Sequence, residues 1–96
     1  YRVVKRNWTC RGGEIDLICE KDEVTYFIEV KTRQNMEFGY PEEAITPRKL
    51  SHLRRAIESY LINSPHPPSE YRVHALAILA VPGQEPEYHF VENILG

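Results

Sequence analysis

Three residues in the first third of the chain have the types and spacing of a hydrolytic metal site. Asp16 lies in "GEIDLICE", and Glu29 and Lys31 lie in "FIEVK". A carboxylate on each of two adjacent strands, pointing to one face, supplies the oxygen ligands that Mg2+ or Mn2+ prefers while leaving waters on the ion. The main-chain carbonyl of Val30 offers another oxygen, and Lys31, two residues past Glu29 on the same strand face, brings an ammonium to the same volume. That set suits phosphodiester hydrolysis: a cation polarises the phosphate and acidifies a water, while the lysine positions the nucleophile or offsets developing charge. An exposed cross-strand ion cluster is the plainer explanation, since Asp, Glu and Lys are common and the gap between the two parts is elastic. Placement in a hairpin ahead of a basic helix is what favours a site.

The carboxylates meet only if the chain folds as that hairpin. "EIDLICE" alternates with period two, setting Ile15, Leu17 and Cys19 on one face and Glu14, Asp16 and Ile18 on the other. "VTYFIEVK" likewise sets Val24, Tyr26, Ile28 and Val30 against Thr25, Phe27, Glu29 and Lys31. A two-residue loop at Asp22-Glu23 pairs Lys21 with Val24, and a four-residue loop pairs Glu20 with Thr25; either register carries Asp16 opposite Glu29. A three-residue loop or a bulge would change it. Like charges directly opposite destabilise a sheet, so this register requires a compensating cation, Lys31, a metal or both.

The remaining elements follow from local signals. "YRVVKRNW" ahead of Gly12-Gly13 reads as a first strand. The polar stretch after Lys31, with Gly39 and Pro41 as breakers, reads as a loop. Thr46 as N-cap and Pro47 at the first helical position predict a helix over 47–62, with Leu50, Leu53, Ala56, Ile57, Tyr60 and Leu61 as its apolar stripe. Arg48 and Lys49 in its first turn oppose the helix dipole. An anionic ligand accounts for them, and so does simple surface tolerance. "SPHPPSE" is a stiff linker, "YRVHALAILAV" a central strand apolar on both faces through its second half, and "EYHFVEN" an edge strand. Three strands, a helix and two strands make an α/β fold with a mixed sheet, the helical crossover bringing two strands parallel.

Composition bounds the rest. A chain of 96 residues, 42% hydrophobic and 27% charged, forms one soluble globular domain over residues 1–96 and excludes the disordered, collagenous and membrane classes. The longest apolar run, "ALAILAV", falls far short of the roughly 20 residues a membrane span needs, and no export signal is recognisable, so a cytoplasmic protein is expected. Cys10 and Cys19 read as ordinary reduced cysteines. The net charge of −2 conceals a division: Arg2, Lys5, Arg6 and Arg11 come first, then Glu14, Asp16, Glu20, Asp22, Glu23 and Glu29 against Lys21 alone, then Arg48, Lys49, Arg54 and Arg55. Basic flanks around an acidic centre suit a cation site beside a phosphate-binding surface, and a solvated mixed surface has the same pattern. His52 reads as a surface histidine, Trp8 as core, Tyr40 as loop packing, and His66, His74 and His89 lack metal-ligand spacing.

"RNWTCRGGEIDLI", "FIEVKTR" and "FGYPEEAITPRKLSHLRRAIESYL", taken together over nearly the whole chain, resemble the YraN family of bacterial endonuclease-like proteins. That family lies in the PD-(D/E)XK (restriction-endonuclease-like) superfamily, similar in plan to archaeal Holliday junction resolvases. The resemblance implies a restriction-endonuclease-like mixed five-stranded sheet with flanking helices. It implies an active centre of Asp16, Glu29 and Lys31, with Mg2+ or Mn2+ held by Asp16, Glu29 and the Val30 carbonyl. Lys49 matches the family's basic helix position and Arg33 the arginine of "KTR"; together with Arg11 and Arg48 they are the expected nucleic-acid contacts. Relatives begin with a helix bearing a further glutamate, whereas this sequence starts at Tyr1 inside the first strand, so the first helix is expected to be missing from this chain. The activity implied is metal-dependent hydrolysis of DNA phosphodiester bonds, in branched or structured DNA, and a resolvase-like role implies a two-fold homodimer. The alternative is a non-catalytic nucleic-acid-binding or assembly module on the same fold.

Overall fold

A computed structural model describes residues 1–35 and 46–95. The order of elements is β1 (Arg2–Cys10), β2 (Gly13–Lys21), β3 (Val24–Arg33), α1 (Pro47–Asn63), β4 (Tyr71–Leu79) and β5 (Glu87–Val91). The strands form one five-stranded sheet in the order β1-β2-β3-β4-β5. β3 and β4, on either side of the helical crossover, pair parallel, and the other neighbours pair antiparallel. This is the expected α/β mixed sheet, compatible with a restriction-endonuclease-like fold. Main-chain bonds close the parallel pair at both ends, Thr25 N–H donating to Glu70 O at 3.1 Å and Ala80 N–H to Arg33 O at 2.8 Å.

The β2–β3 hairpin turns on two residues. Asp22 and Glu23 have φ of 51° and 66°, the left-handed pair that matches the right-handed twist of hairpin strands. The register runs from Lys21↔Val24 to Leu17↔Ile28, as the two-residue loop predicted. On α1, Thr46 Oγ1 accepts from Lys49 N–H at 3.3 Å and Pro47 takes the first turn, so the expected cap forms. The helix ends one residue beyond the predicted end. The loop breakers Gly39 and Pro41, and Tyr40, lie outside the described residues.

The core lies between one sheet face and α1. Ile15, Ile18, Phe27 and Val73 meet Leu53, Ala56 and Ile57, with Trp8 packed at the margin. Trp8 and Phe27 each meet Tyr60 edge-on, at ring distances of 5.3 and 5.6 Å. Strict alternation placed Ile15 and Ile18 on opposite faces, and the structure corrects this: both are buried in the one cluster. The alternation breaks where β1 and β2 face each other across Asn7 and Asp16, between the pairs Arg6↔Leu17 and Trp8↔Ile15. Asn7, in the strand alongside, has φ of 49°.

α1 sits unusually close to the first hairpin. A Cβ on Gly13 would lie 2.5 Å from the His52 carbonyl oxygen and 2.9 Å from Ala56 Cβ, so only glycine lets helix backbone and strand approach this far. On the other sheet face, the Tyr26 ring lies between Tyr1 and His74, and His74 Nδ1 accepts from Asn93 N–H at 3.0 Å. Cys10 and Cys19 are free, as expected. Among the described residues no helix is long and apolar enough to cross a membrane.

Candidate functional site

Beyond Leu17↔Ile28 the bond joining β2 to β3 is a side-chain one. Val30 N–H donates to Asp16 Oδ2 at 2.8 Å. The expectation of Asp16 directly opposite Glu29 is corrected in that detail: the paired backbone stops short of them, and Asp16 acts as a surrogate main-chain acceptor for β3. The consequence is orientation. One carboxylate oxygen of Asp16 is fixed on β3, which holds the side chain against Glu29.

Glu29 and Lys31, two residues apart on β3, bridge at 3.0 Å between Oε1 and Nζ. Their side chains are only 13% and 26% exposed, so this is more than a screened surface pair. Parallel pairing sets Glu29 beside Ala75 and Lys31 beside Ala77, both fully buried. These short apolar neighbours strip water from the pair without filling the space in front of it. Burial accordingly pushes the Glu29 carboxyl above its usual range; the Lys31 hydrogen bond works against this, and the nearby Asp16 adds to it. Burial by itself would lower Lys31, but the bond and charge of Glu29 with the charge of Asp16 outweigh it and hold the ammonium above its usual range. Lys49 is pulled down by partial desolvation, by Lys31 beside it and by Arg33.

Asp16, Glu29, Val30, Lys31 and Lys49 line one open cleft of about 570 Å³ between the hairpins and α1. The same wall includes Thr9, Gly12, Gly13, Glu14, His52 and Arg55. The structure thus brings together the whole predicted centre and the predicted helix lysine. Arg33 is half-buried close enough for its charge to act on Lys49, while Arg11 and Arg48 are exposed and stand outside this lining. Sequence reading did not assign His52 or Arg55 to the site. The signal was present: residues 49, 52 and 55 recur at the three-residue step that puts side chains on one helix face.

Among the described residues no three His, Cys, Asp or Glu side chains converge as a closed metal cage. A magnesium-type ion needs no such cage: Asp16 and Glu29 could hold one through one or two carboxylates while it keeps waters and takes further oxygens from a phosphate.

Comparison with known proteins places the chain in a family. The model of the uncharacterised protein family UPF0102 matches residues 1–78. A UPF0102 protein of Syntrophomonas wolfei subsp. wolfei is 42% identical over 91 residues, covering 95% of this chain and 79% of that protein. One from Leifsonia xyli subsp. xyli is 39% identical over 95 residues, covering 99% of this chain and 80% of that protein. A third, from Beutenbergia cavernae, is 43% identical over 77 residues, 80% of this chain and 65% of its own length. The chain belongs to the UPF0102 family, the family its motifs pointed to.

Proposed function

We propose that this domain is a metal-dependent nuclease that hydrolyses DNA phosphodiester bonds, with branched or otherwise structured DNA as the substrate class. The observation that carries this reading is the meeting of Asp16, Glu29 and Lys31 in one cleft with Lys49 across from them. Asp16, Glu29 and the Val30 carbonyl would hold the Mg2+ or Mn2+. Bound there, the ion would polarise the phosphate and acidify a water. Lys31 orients Glu29 and favours its charged form against burial, and would have further N–H groups to offer a phosphate. Lys49 and Arg33, with Arg48 and Arg11 further out, hold the backbone on either side.

A second reading is a binding or assembly module without cleavage. It is favoured by one feature: Glu29 has its counter-charge within the fold, in Lys31 at 3.0 Å. Calorimetric titration with Mn2+ separates the two. Wild type should bind, Asp16→Asn and Glu29→Gln should each weaken binding at least about tenfold, and both should lose cleavage of branched and linear DNA. Wild-type protein that binds DNA but takes up no Mn2+ would leave the module reading standing.

A further inference from the structure

α1 divides two cavities, and adjacent arginines reach one each. Arg55 lines the cleft of Asp16, Glu29 and Lys31, whereas Arg54 lines a second cavity of about 380 Å³ between α1, the start of β4 and the segment after β5. Successive helix residues point roughly 100° apart, which is why neighbours in sequence serve different spaces. The second volume falls within the range of small-molecule sites, roughly 300–1,000 Å³. Its floor is apolar: Ile57 and Val73 are buried, and Leu95 packs against the core. The Tyr71 ring, 42% exposed, is held beside that floor by edge-on contact with Phe27 at 5.5 Å. The wall after β5 is fixed too, because Asn93 N–H donates to His74 Nδ1 at 3.0 Å and Ile94 N–H to Val73 O at 2.9 Å. A wall tied down in this way is formed before a ligand arrives.

Polar groups stand unengaged at its rim. Arg54 and Glu58 lie one turn apart on α1, yet among the described residues neither makes an ion pair or side-chain hydrogen bond. Asn93 uses only its main-chain N–H there, so its amide is also available. Arg72, by contrast, is committed to Glu70 and to the Tyr71 carbonyl. An unpaired guanidinium suits an anion, and an apolar floor beside an aromatic ring suits a flat body. Glu58 and Asn93 then offer acceptors and a donor to the edge of that body.

We propose that this cavity binds one unstacked nucleotide, its base on the floor beside Tyr71 and its phosphate on Arg54. A base edge carries the mixed donors and acceptors that Glu58 and Asn93 can meet, and asparagine pairs well with adenine. An aliphatic anion satisfies Arg54 and the floor but leaves both of those groups unmatched. Two sources share the required chemistry, a free mononucleotide and an unpaired residue of a DNA strand. In the second case the strand crosses the ridge of α1, roughly 10–12 Å wide with its side chains, from the Arg55 side to the Arg54 side. Only that crossing rests on the nuclease reading; the cavity does not.

The test is an amide NMR titration of the whole chain without metal. Deoxyadenosine monophosphate should shift Tyr71, Val73, Asn93 and Leu95 at concentrations that leave Asp16 and Lys31 unmoved. Arg54→Gln, at an exposed position, should keep the wild-type fold and weaken binding at least about tenfold through loss of a charge-assisted contact. A DNA duplex with one unpaired adenine, compared with its fully paired counterpart, separates the sources. Shifts at the four residues with the mononucleotide support a free ligand, and shifts only with the unpaired adenine support a strand. No shift there with either probe, an undiminished affinity in Arg54→Gln, or octanoate binding as tightly as the nucleotide overturns the proposal. Loss of Mn2+ uptake or of cleavage with these shifts intact counts against the nuclease reading alone.

Discussion

Asp16 has a structural role and a proposed chemical one, and the two can be pulled apart. Its Oδ2 holds Val30 N–H, a bond an amide oxygen can also make. Asp16→Ala leaves a half-buried N–H unpaired and should cost about 1–2 kcal/mol in urea denaturation, whereas Asp16→Asn should cost clearly less. Both should lose Mn2+ binding alike, so a stability difference without a binding difference is the signature. Glu29 gives a pH prediction. Its folded carboxyl is raised by burial, so the folded state holds the proton more tightly than the unfolded chain. That contribution to stability is complete below the usual value of 4.5 and is lost as pH rises through the raised value. Glu29→Gln removes this loss. Stability of wild type relative to Glu29→Gln should therefore fall as pH climbs from 4.5 towards neutrality, while Mn2+ affinity of wild type rises over the same interval because the ion needs the carboxylate. Parallel pH series of denaturation and calorimetry check both slopes.

The element that completes the cleft is α1, and Gly13 sets how near it comes. The atom a side chain would strike first is the His52 carbonyl, a backbone group that moves only if the helix moves. Gly13→Ala should lift α1 from the hairpin, lower stability by about 1–3 kcal/mol, and draw Lys49, His52 and Arg55 away from Glu29 and Lys31. Thermal unfolding measures the first effect. The second appears as weaker binding of an uncleaved DNA in the absence of metal, where the carboxylates contribute no attraction.

For the whole molecule, net charge and local charge point in different directions. At −2 overall, the chain gains no general attraction to a polyanion, so the DNA binding we propose would have to come from the basic residues grouped about the cleft. Each lysine that neutralises a phosphate releases condensed counterions, and the dependence of log K on log salt counts them. Lys49→Gln should therefore weaken DNA binding on all sequences and make the salt slope shallower by about one. Fluorescence anisotropy across a salt series reads this directly; an unchanged slope would remove Lys49 from the contact surface.

Much of this arrangement was written in local sequence. Asp22-Glu23 fixed the hairpin register, Thr46-Pro47 fixed where α1 begins, and a helix between two strands fixed that β3 and β4 run parallel, because each depends on neighbours a few residues apart. Asp16, Glu29 and Lys31 could be singled out for the same reason. Tertiary structure decided the rest. Ile15 joins the same core cluster as Ile18 through packing against α1, which alternation along β2 does not reveal, and the Asp16 carboxylate bonds Val30 where the ladder ends at Leu17 and Ile28. Ala75 and Ala77 dehydrate the Glu29–Lys31 pair through a register set by the long crossover between Arg33 and Tyr71, and His52 and Arg55 join the site through the contact of α1 with Gly13. Burial, and with it the altered acidity of Glu29 and Lys31, is a property of packed surfaces distant in the chain, which no short stretch of sequence specifies.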